Sequence, residues 1–368
     1  MSTPLANLRQ LIDQEQTDAM LISSLANITY ATEFSGFSKE DRDAFVLITK
    51  NHEYIFTHGI YKEVVQKKVS QLEFVEITRE QPIGKCITDI AQAESLKSIA
   101  FESDDLTYAE YARLKHVFQE SVILKPSRYI HNVRIQKTHD EIDKIQKACS
   151  IGDQVFIEIQ KNIETGMTEQ TLVAMLEFTM RQMGVTPSFP TIVAFGANAS
   201  QPHHISDQTK LVEDTYILLD FGVLYEGYAS DMTRTFFWGK TSDEQKQIYN
   251  DVLASQQKAV AYIQHQLRTK QPILASESDH IARDFLSQKQ YPPMPHSLGH
   301  GIGIEVHEQP RLTPSSQDIL EDGMVFSIEP GVYIPDQIGI RIEDLYTISN
   351  NTLMQLTKAP SDLLEIQV

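Results

Sequence analysis

Apolar positions in the first third of the chain come as short runs separated by stretches of helical spacing. Leu5, Leu8, Leu11 and Ile12 fall on one face of an opening helix. Ala19-Met20-Leu21-Ile22 follows as an apolar run of strand length. Phe45-Val46-Leu47-Ile48 and Tyr54-Ile55-Phe56 flank a polar turn at Lys50-Asn51, the pattern of a hairpin. Ser98-Ile99-Ala100-Phe101 reads as a further strand. Thr107 and Glu110 then make a capping box that opens a helix through Tyr111, Leu114 and Phe118. These pieces describe a small α/β unit with no chemical constellation of its own.

A boundary falls between residues 126 and 137. Pro126 is expected to end a strand, and HNVRIQKTHDE is polar. The division this suggests is an amino-terminal α/β domain over 1–131 and a larger domain over 132–368. Thr138 and Glu141 form a second capping box, after which Ile142, Ile145, Ala148, Cys149, Val155 and Ile159 keep helical spacing. Gly166 is expected to close that helix. The next runs from Thr168 to Met183 and stops at Gly184. Later helices are expected at about 242–267 and 277–290, with strand-like segments between them. The pattern predicts an α+β class, and no tandem repeat or low-complexity segment interrupts it.

At 368 residues, two domains are comfortable. Hydrophobic content of 41% and charged content of 22% are those of an ordinary soluble globular chain. With 32 basic against 50 acidic residues the net charge is −18, which argues against a nucleic-acid partner. The two cysteines, Cys86 and Cys149, make no disulfide framework and have no zinc-type spacing to another Cys or His. The start, MSTPLANLRQLIDQEQ, lacks the regions of a signal peptide, and no apolar run approaches the length of a bilayer span. A cytoplasmic location, with no membrane partner, is the expectation.

Five residues change the picture. Asp220, Asp231, His300, Glu329 and Glu343 sit in the apolar or glycine-rich segments ILLDFG, YASDMTRT, HSLGHGIG, FSIEPG and GIRIED. Four carboxylates left unpaired there carry a heavy desolvation cost. A pair of divalent cations removes the cost and makes the chain a candidate hydrolase. A hairpin turning at Tyr225-Glu226 pairs 224 with 227 and sets Asp220 opposite Asp231, with Cβ atoms about 5 Å apart. Ser327-Ile328-Glu329 and Arg341-Ile342-Glu343 can pair across the Pro335–Gly339 turn. The period of two places Arg341 and Glu343 on one face, where Arg341 can orient or partly neutralise a metal-binding carboxylate. GHGIG lacks a following Lys-Ser/Thr and any dinucleotide pattern, so its glycines read as room for close backbone approach.

The ordered set LLDFG, SDMTRT, HSLGHGIGIEVHE, SIEPG and RIED resembles the pita-bread metallopeptidases: methionine aminopeptidases, Xaa-Pro aminopeptidases and prolidases. GHGIGIEVHE followed by QPRLTP, the EPGVYIP segment and the extra amino-terminal domain resemble the Xaa-Pro peptidases in particular. The resemblance covers about residues 135–360. It implies a carboxy-terminal pita-bread (creatinase/aminopeptidase) domain behind a smaller amino-terminal α/β, creatinase-N-like domain. It also implies a homodimer in which the small domain of one subunit caps its partner's site.

Position by position, the resemblance implies a dinuclear centre. Asp220 would bind one metal, His300 and Glu329 the other, and Asp231 and Glu343 would bridge them. The donor set suits manganese, cobalt, iron or zinc, with manganese the first expectation. The implied nucleophile is a metal-bridging hydroxide attacking the residue before proline. Glu329 would move the proton to the proline nitrogen, and His203 and His307 would polarise the carbonyl or stabilise the oxyanion. His204 stands where many relatives have glycine, so either histidine of that pair could face the substrate. Tyr228, Arg311 and Arg341 are candidates for contacting the substrate. His52, His58, His131, His139, His265 and His280 read as structural or exposed.

The leading expectation is an Xaa-Pro exopeptidase on proline-containing di- or oligopeptides. The dipeptidase is preferred over an Xaa-Pro aminopeptidase, with Arg311 able to receive the proline carboxylate. A creatinase-like non-peptidase hydrolase and a binding module that has lost catalysis are the alternatives, and the complete ligand set argues against both.

Overall fold

The computed structural model describes residues 3–38 and 41–367; the first two residues of the amino-terminal stretch read above lie outside them. Two compact units divide the chain, Met1–Arg134 and Ile135–Val368.

The first unit is built on a six-stranded sheet. Its strands are β1 (Ala19–Ile22), β2 (Ala44–Thr49), β3 (Glu53–Thr57), β4 (Glu73–Glu76), β5 (Ser98–Glu102) and β6 (Ile123–Ser127), in the order β4-β3-β2-β1-β5-β6. β1 and β2 are buried along their whole length, which is why they read as unbroken apolar runs. β2 and β3 form the expected hairpin, with Phe45 opposite Phe56. Among the described residues, five α-helices belong to the same unit: α1 (Pro4–Gln14), α2 (Leu25–Thr32), α3 (Lys62–Lys68), α4 (Ile83–Ala93) and α5 (Tyr108–Phe118). The Thr107–Glu110 capping box at the start of α5 is formed. Pro126 does not end β6, as its sequence suggested, but lies inside it opposite Phe101. β6 is the edge strand, so the amide hydrogen that proline lacks is not missed by a neighbouring strand.

In the second unit the order two helices, then antiparallel strands, occurs twice. α6 (His139–Ile159) and α7 (Glu169–Gln182) precede β7 (Thr186–Pro187), β8 (Ile192–Phe195), β9 (Thr215–Phe221), β10 (Val223–Tyr225), β11 (Tyr228–Ala229) and β12 (Met232–Trp238). α8 (Asp243–Thr269) and α9 (Ala275–Gln288) precede β13 (Gly299–Gly301), β14 (Glu308–Leu312), β15 (Val325–Ile328), β16 (Gly331–Ile334), β17 (Ile338–Arg341), β18 (Asp344–Ser349) and β19 (Thr352–Gln355). A last short strand, β20 (Glu365–Ile366), runs parallel to β12. The Thr138–Glu141 box opens α6 as expected, but α6 ends at Ile159, well before Gly166. Gly166 instead takes a left-handed conformation in the turn leading to α7, for which its missing Cβ suits it.

β9 and β12 pack on both faces. Ile217, Leu219 and Phe221 meet Val155, Phe156, Leu172 and Leu176 of α6 and α7. Tyr216 and Leu218 meet Tyr249 and Val252 of α8 together with Val332 and Ile340. Two-sided burial explains the near-continuous apolar runs around Asp220.

The register of the first hairpin differs from the sequence expectation. Tyr225 pairs with Tyr228, so the turn is Glu226-Gly227, both with positive φ, a type I′ geometry that glycine favours. The ladder then sets Asp220 opposite Thr233 and leaves Asp231 diagonal to Asp220 on the same face. The second hairpin is as expected. Ile328 lies opposite Asp344 and Gly331 opposite Arg341, a single register that sets Glu329 opposite Glu343.

Asp231, Glu329 and Glu343 all fall in two-residue breaks between consecutive strands. Behind these breaks lies Arg234, 1% exposed. Its guanidinium donates to the carbonyls of Thr233 and Ala359, to Asp344 Oδ1 at 2.6 Å and to the Glu343 carbonyl, tying β12 to the β17–β18 junction. At Gly222 a Cβ would stand 1.9 Å from the Ser230 carbonyl oxygen. Gly222→Ala is therefore expected to force the hairpin open at a cost of about 2–3 kcal/mol. Thermal melts should show a fall of roughly 2–4 °C per kcal/mol; an unchanged melting temperature would mean the two strands separate freely there.

Candidate metal centre

Strand breaks and strand ends deliver five ionisable side chains to one cleft of the second unit. Asp220 comes from the end of β9, Asp231 from the break before β12, and His300 from the middle of β13. Glu329 and Glu343 come from facing positions after β15 and β17. Ligand atoms of Asp231, His300 and Glu343 all lie within 4.8 Å of one another. His300 Nε2 is 3.6 Å from Asp231 Oδ2 and 3.3 Å from Glu329 Oε1. Arg341 Nη2 donates to Asp220 Oδ2, which brings the fourth carboxylate into the group.

The electrostatics of this arrangement are unfavourable without added positive charge. Burial raises the pKa of Asp231 well above the carboxylate range, and Glu343, Asp220 and Glu329 raise it further. Glu329 is raised well above its ordinary value by burial and then by Glu343. Glu343 is pushed up to about 7 by burial and then by Asp220. His300 moves the other way, down to about 3, because burial and then neighbouring His307 disfavour its cation. The imidazole is thus neutral, and its Nδ1 lies 3.1 Å from the Gly301 carbonyl, which it satisfies as a donor. Nε2 is left with a lone pair aimed at carboxylate oxygens, a contact that needs either a carboxyl proton or a cation between them. Asp231 Oδ1 and Glu343 Oε1 are buried with no hydrogen-bond partner among the described residues. Orphaned carboxylate oxygens beside a bare imidazole nitrogen are a donor set suited to divalent cations.

Around this group lies a support network that the sequence reading missed, apart from Arg341. Thr233, fully buried, donates to Glu343 Oε2 at 2.7 Å and accepts from Arg341 Nε at 2.9 Å. Tyr333 Oη accepts from Arg341 Nη1 at 2.8 Å and donates to His296 Nε2 at 2.8 Å. Ser327 Oγ donates to Glu329 Oε1 at 3.1 Å and accepts from the His300 amide at 3.0 Å. Thr233 and Ser327 lie within the motifs SDMTRT and FSIEPG, and their only signal was a hydroxyl two residues from a carboxylate on a strand. Arg341, 3% exposed, uses all three guanidinium nitrogens on Asp220, Tyr333 and Thr233.

Of the neighbouring histidines, His204 is buried and its Nε2 lies 2.7 Å from Glu169 Oε2. Glu169, the first residue of α7, also accepts from the amides of Phe195 and Asp207 and from Asn198 Nδ2. Those bonds close the Glu169, His204 and Asp207 cluster, which leaves His204 a structural part of the loop and His203 exposed. His203 is near enough to lower the pKa of both His307 and His296. His307 is exposed on one side, and on the other its ring stands edge-on to His300 at 4.3 Å. Loss of water on that side, and then Arg311, hold its pKa below the usual range. Arg311 lies opposite His300 in the β13–β14 ladder, and among the described residues its guanidinium has no hydrogen-bond or ion-pair partner. The Tyr228 hydroxyl donates to Glu141 Oε1 at 3.1 Å, in the capping box of α6.

Residues 143–350 match the metallopeptidase family M24, and residues 4–136 match the creatinase/prolidase N-terminal domain. The chain belongs to metallopeptidase family M24. It is 32% identical over 366 residues to an Xaa-Pro dipeptidase of Pyrococcus horikoshii, covering 99% of each chain. An Xaa-Pro dipeptidase from Bacillus anthracis shares its structure with a TM-score of 0.88 at 31% identity, over 99% of each chain. An X-Pro aminopeptidase from Thermotoga maritima also reaches 0.88, at 29% identity, over 98% of this chain and 99% of that one. The two-domain arrangement with a carboxy-terminal pita-bread domain is therefore established, and the protein is a metallopeptidase, a family membership that implies divalent metal ions. No described helix is long and apolar enough to cross a membrane.

These carboxylates make the metal-free protein sensitive to pH. Groups whose folded pKa is raised keep protons that the unfolded chain has released, so their contribution to stability falls as pH rises from about 4.5 to about 7. Each retained proton is worth about 1.4 kcal/mol per pH unit. A divalent cation should remove the loss. The gap in melting temperature between protein with Mn²⁺ and protein with chelator is expected to widen from pH 5 to pH 7.5. A gap that stays constant would mean that the cluster ionises without difficulty when empty.

Proposed function

We propose that this chain is an Xaa-Pro dipeptidase in which Asp220, Asp231, His300, Glu329 and Glu343 hold two divalent cations, Asp231 and Glu343 bridging them. The observation that carries the reading is the pair of orphaned buried oxygens on Asp231 and Glu343, beside a neutral His300. Bound there, the cations would supply acidified water and a Lewis acid for the scissile carbonyl. The same reading takes manganese as the metal, which a set of carboxylates and one imidazole suits, together with a cytoplasmic homodimer.

The chain's own residues have distinct tasks in this reading. Arg341 fixes Asp220, and Thr233 fixes the second oxygen of Glu343, so both carboxylates present a set face. Glu329 is held by Ser327 yet reaches the cleft with 15% of its side chain exposed, the position of a group that can pass a proton to the proline nitrogen. His203 and His307 line the exposed side and serve the carbonyl and its developing oxyanion. Arg311, unpaired and close enough to influence His300 and His307, receives the proline carboxylate. A carboxylate receptor at that place favours a dipeptide over a longer peptide, and the dipeptidase named among the relatives supports the same preference. Arg341, with its nitrogens committed, serves the ligands more than the substrate, and Tyr228 contributes through α6.

Ala-Pro and Ala-Pro-Ala, assayed side by side with Mn²⁺ and with chelator, test the reading. The expected result is cleavage of Ala-Pro alone, abolished by chelator. In Arg311→Ala, KM for Ala-Pro should rise by roughly tenfold or more, as for loss of a charge-assisted contact. Release of Ala from the tripeptide would make the protein an Xaa-Pro aminopeptidase, as the Thermotoga relative is named. Cleavage of neither would favour a creatinase-like non-peptidase hydrolase or a binding protein.

A further inference from the structure

Beyond the metal cluster the second unit holds another ion pair that is almost fully buried. Lys137 Nζ lies 3.2 Å from Glu308 Oε2, and their side chains are 1% and 4% exposed. Lys137 comes from the segment before α6, and its backbone amide donates to the Gly323 carbonyl at 2.8 Å. Its ammonium also reaches the Ile135 carbonyl at 3.3 Å. A buried ion pair of this kind gives little net stability over well-packed apolar residues, so its use lies in what it holds in place.

It holds the end of a loop. The β13–β14 ladder pairs His300 with Arg311 and then shifts, so that Gly301 pairs with Glu308. The chain therefore leaves the ladder after Gly301 and returns at Glu308. Between those points the Gly303 amide donates to the Glu305 carbonyl at 3.0 Å, and the Glu305 amide donates to Glu308 Oε1 at 3.0 Å. The loop is folded onto the carboxylate of its own last residue. Gly303 packs against the pair so closely that a Cβ there would lie 2.8 Å from Glu308 Oε2 and 3.0 Å from Lys137 Cε. His307 is the residue just before the return point. Its ring makes no hydrogen bond among the described residues, so its place beside His300 is set by the loop backbone and one ring contact.

We infer that Lys137 and Glu308 are positioning residues: Lys137 fixes the Glu308 carboxylate, Glu308 fixes the 303–308 loop, and the loop aims His307 into the cleft. The inference rests on the reading of His307 as a substrate-side group and adds the means by which that group is held. A misaimed His307 weakens an interaction made in the transition state, so the loss should appear in kcat.

The test uses K137M/E308Q in the full chain, which removes both charges together and leaves an oxygen for the Glu305 amide. With the parent's metal, kcat on Ala-Pro is expected to fall roughly 10- to 100-fold, with KM within about threefold. Combined with His307→Ala, the pair variant should add no further loss, whereas a purely structural role would give additive effects. A readout independent of turnover comes from histidine ring resonances in selectively labelled protein, the His307 signal being identified by its absence in His307→Ala. That signal should shift or broaden in K137M/E308Q while the His203 signal stays in place. If K137M/E308Q does not fold, Gly303→Ala displaces the same carboxylate with both charges kept, and the same shift is expected. An unmoved His307 signal, or losses that add to those of His307→Ala, would overturn the inference. If His307→Ala itself leaves kcat unchanged, the role given to His307 in cleavage falls, and the resonance alone decides whether the pair positions the ring.

Discussion

Carboxylates confined together in a dry cleft are the constraint around which the second unit is organised. Asp220, Glu329 and Glu343 each raise the cost of ionising Asp231, and Asp220 and Glu343 do the same to Glu329. Among the described residues Arg341 is the one cation hydrogen-bonded to a carboxylate of the group, Asp220, and its other guanidinium nitrogens serve Tyr333 and Thr233. Hydroxyls of Thr233 and Ser327 satisfy one oxygen each on Glu343 and Glu329, but Asp231 Oδ1 and Glu343 Oε1 stay without partners. Cations bound there would return the lost solvation, and metal binding and the stability of this core would then be one equilibrium.

The same constraint shapes the strands. Carboxylates at mid-ladder positions would point alternately to the two faces of a sheet. Here three of the four fall where one strand has stopped and the next has not begun. Each break frees a side chain from the strict alternation while the ladder on either side keeps its register. Arg234 closes the structure from behind by satisfying carbonyls at the β17–β18 junction and beyond β19 that the breaks would otherwise leave exposed to an apolar interior.

The clustering of these side chains was legible because ionisable residues in apolar segments leave a mark that composition cannot hide. Ile217-Leu218-Leu219 before Asp220 and Phe326-Ser327-Ile328 before Glu329 are two such marks. The hairpin register was less legible. The positions of positive φ at Glu226 and Gly227 decide it, and a shift of the turn by one residue moves every partner by two. Side-chain parity survives such a shift, which is why Asp220 and Asp231 still share a face. Pro126 and Gly166 misled for a common reason: each signals a break only where a neighbouring strand or a continuing helix requires what it lacks. Residues whose meaning comes wholly from tertiary partners stayed silent. Lys137, Glu169 and Tyr333 look like ordinary surface or core residues until Glu308, His204 and Arg341 are found beside them.

The place of Lys137 in the chain has a consequence for any attempt to isolate the peptidase unit. That unit begins at Ile135, and the lysine is its third residue. A fragment started at Thr138 would contain every metal-type side chain and the intact capping box of α6, yet would lack the lysine that pairs with the buried Glu308 carboxylate. One started at Ile135 would keep the pair. Lys137, which looks like the last of a linker, thus belongs, by charge, to the interior of the peptidase unit.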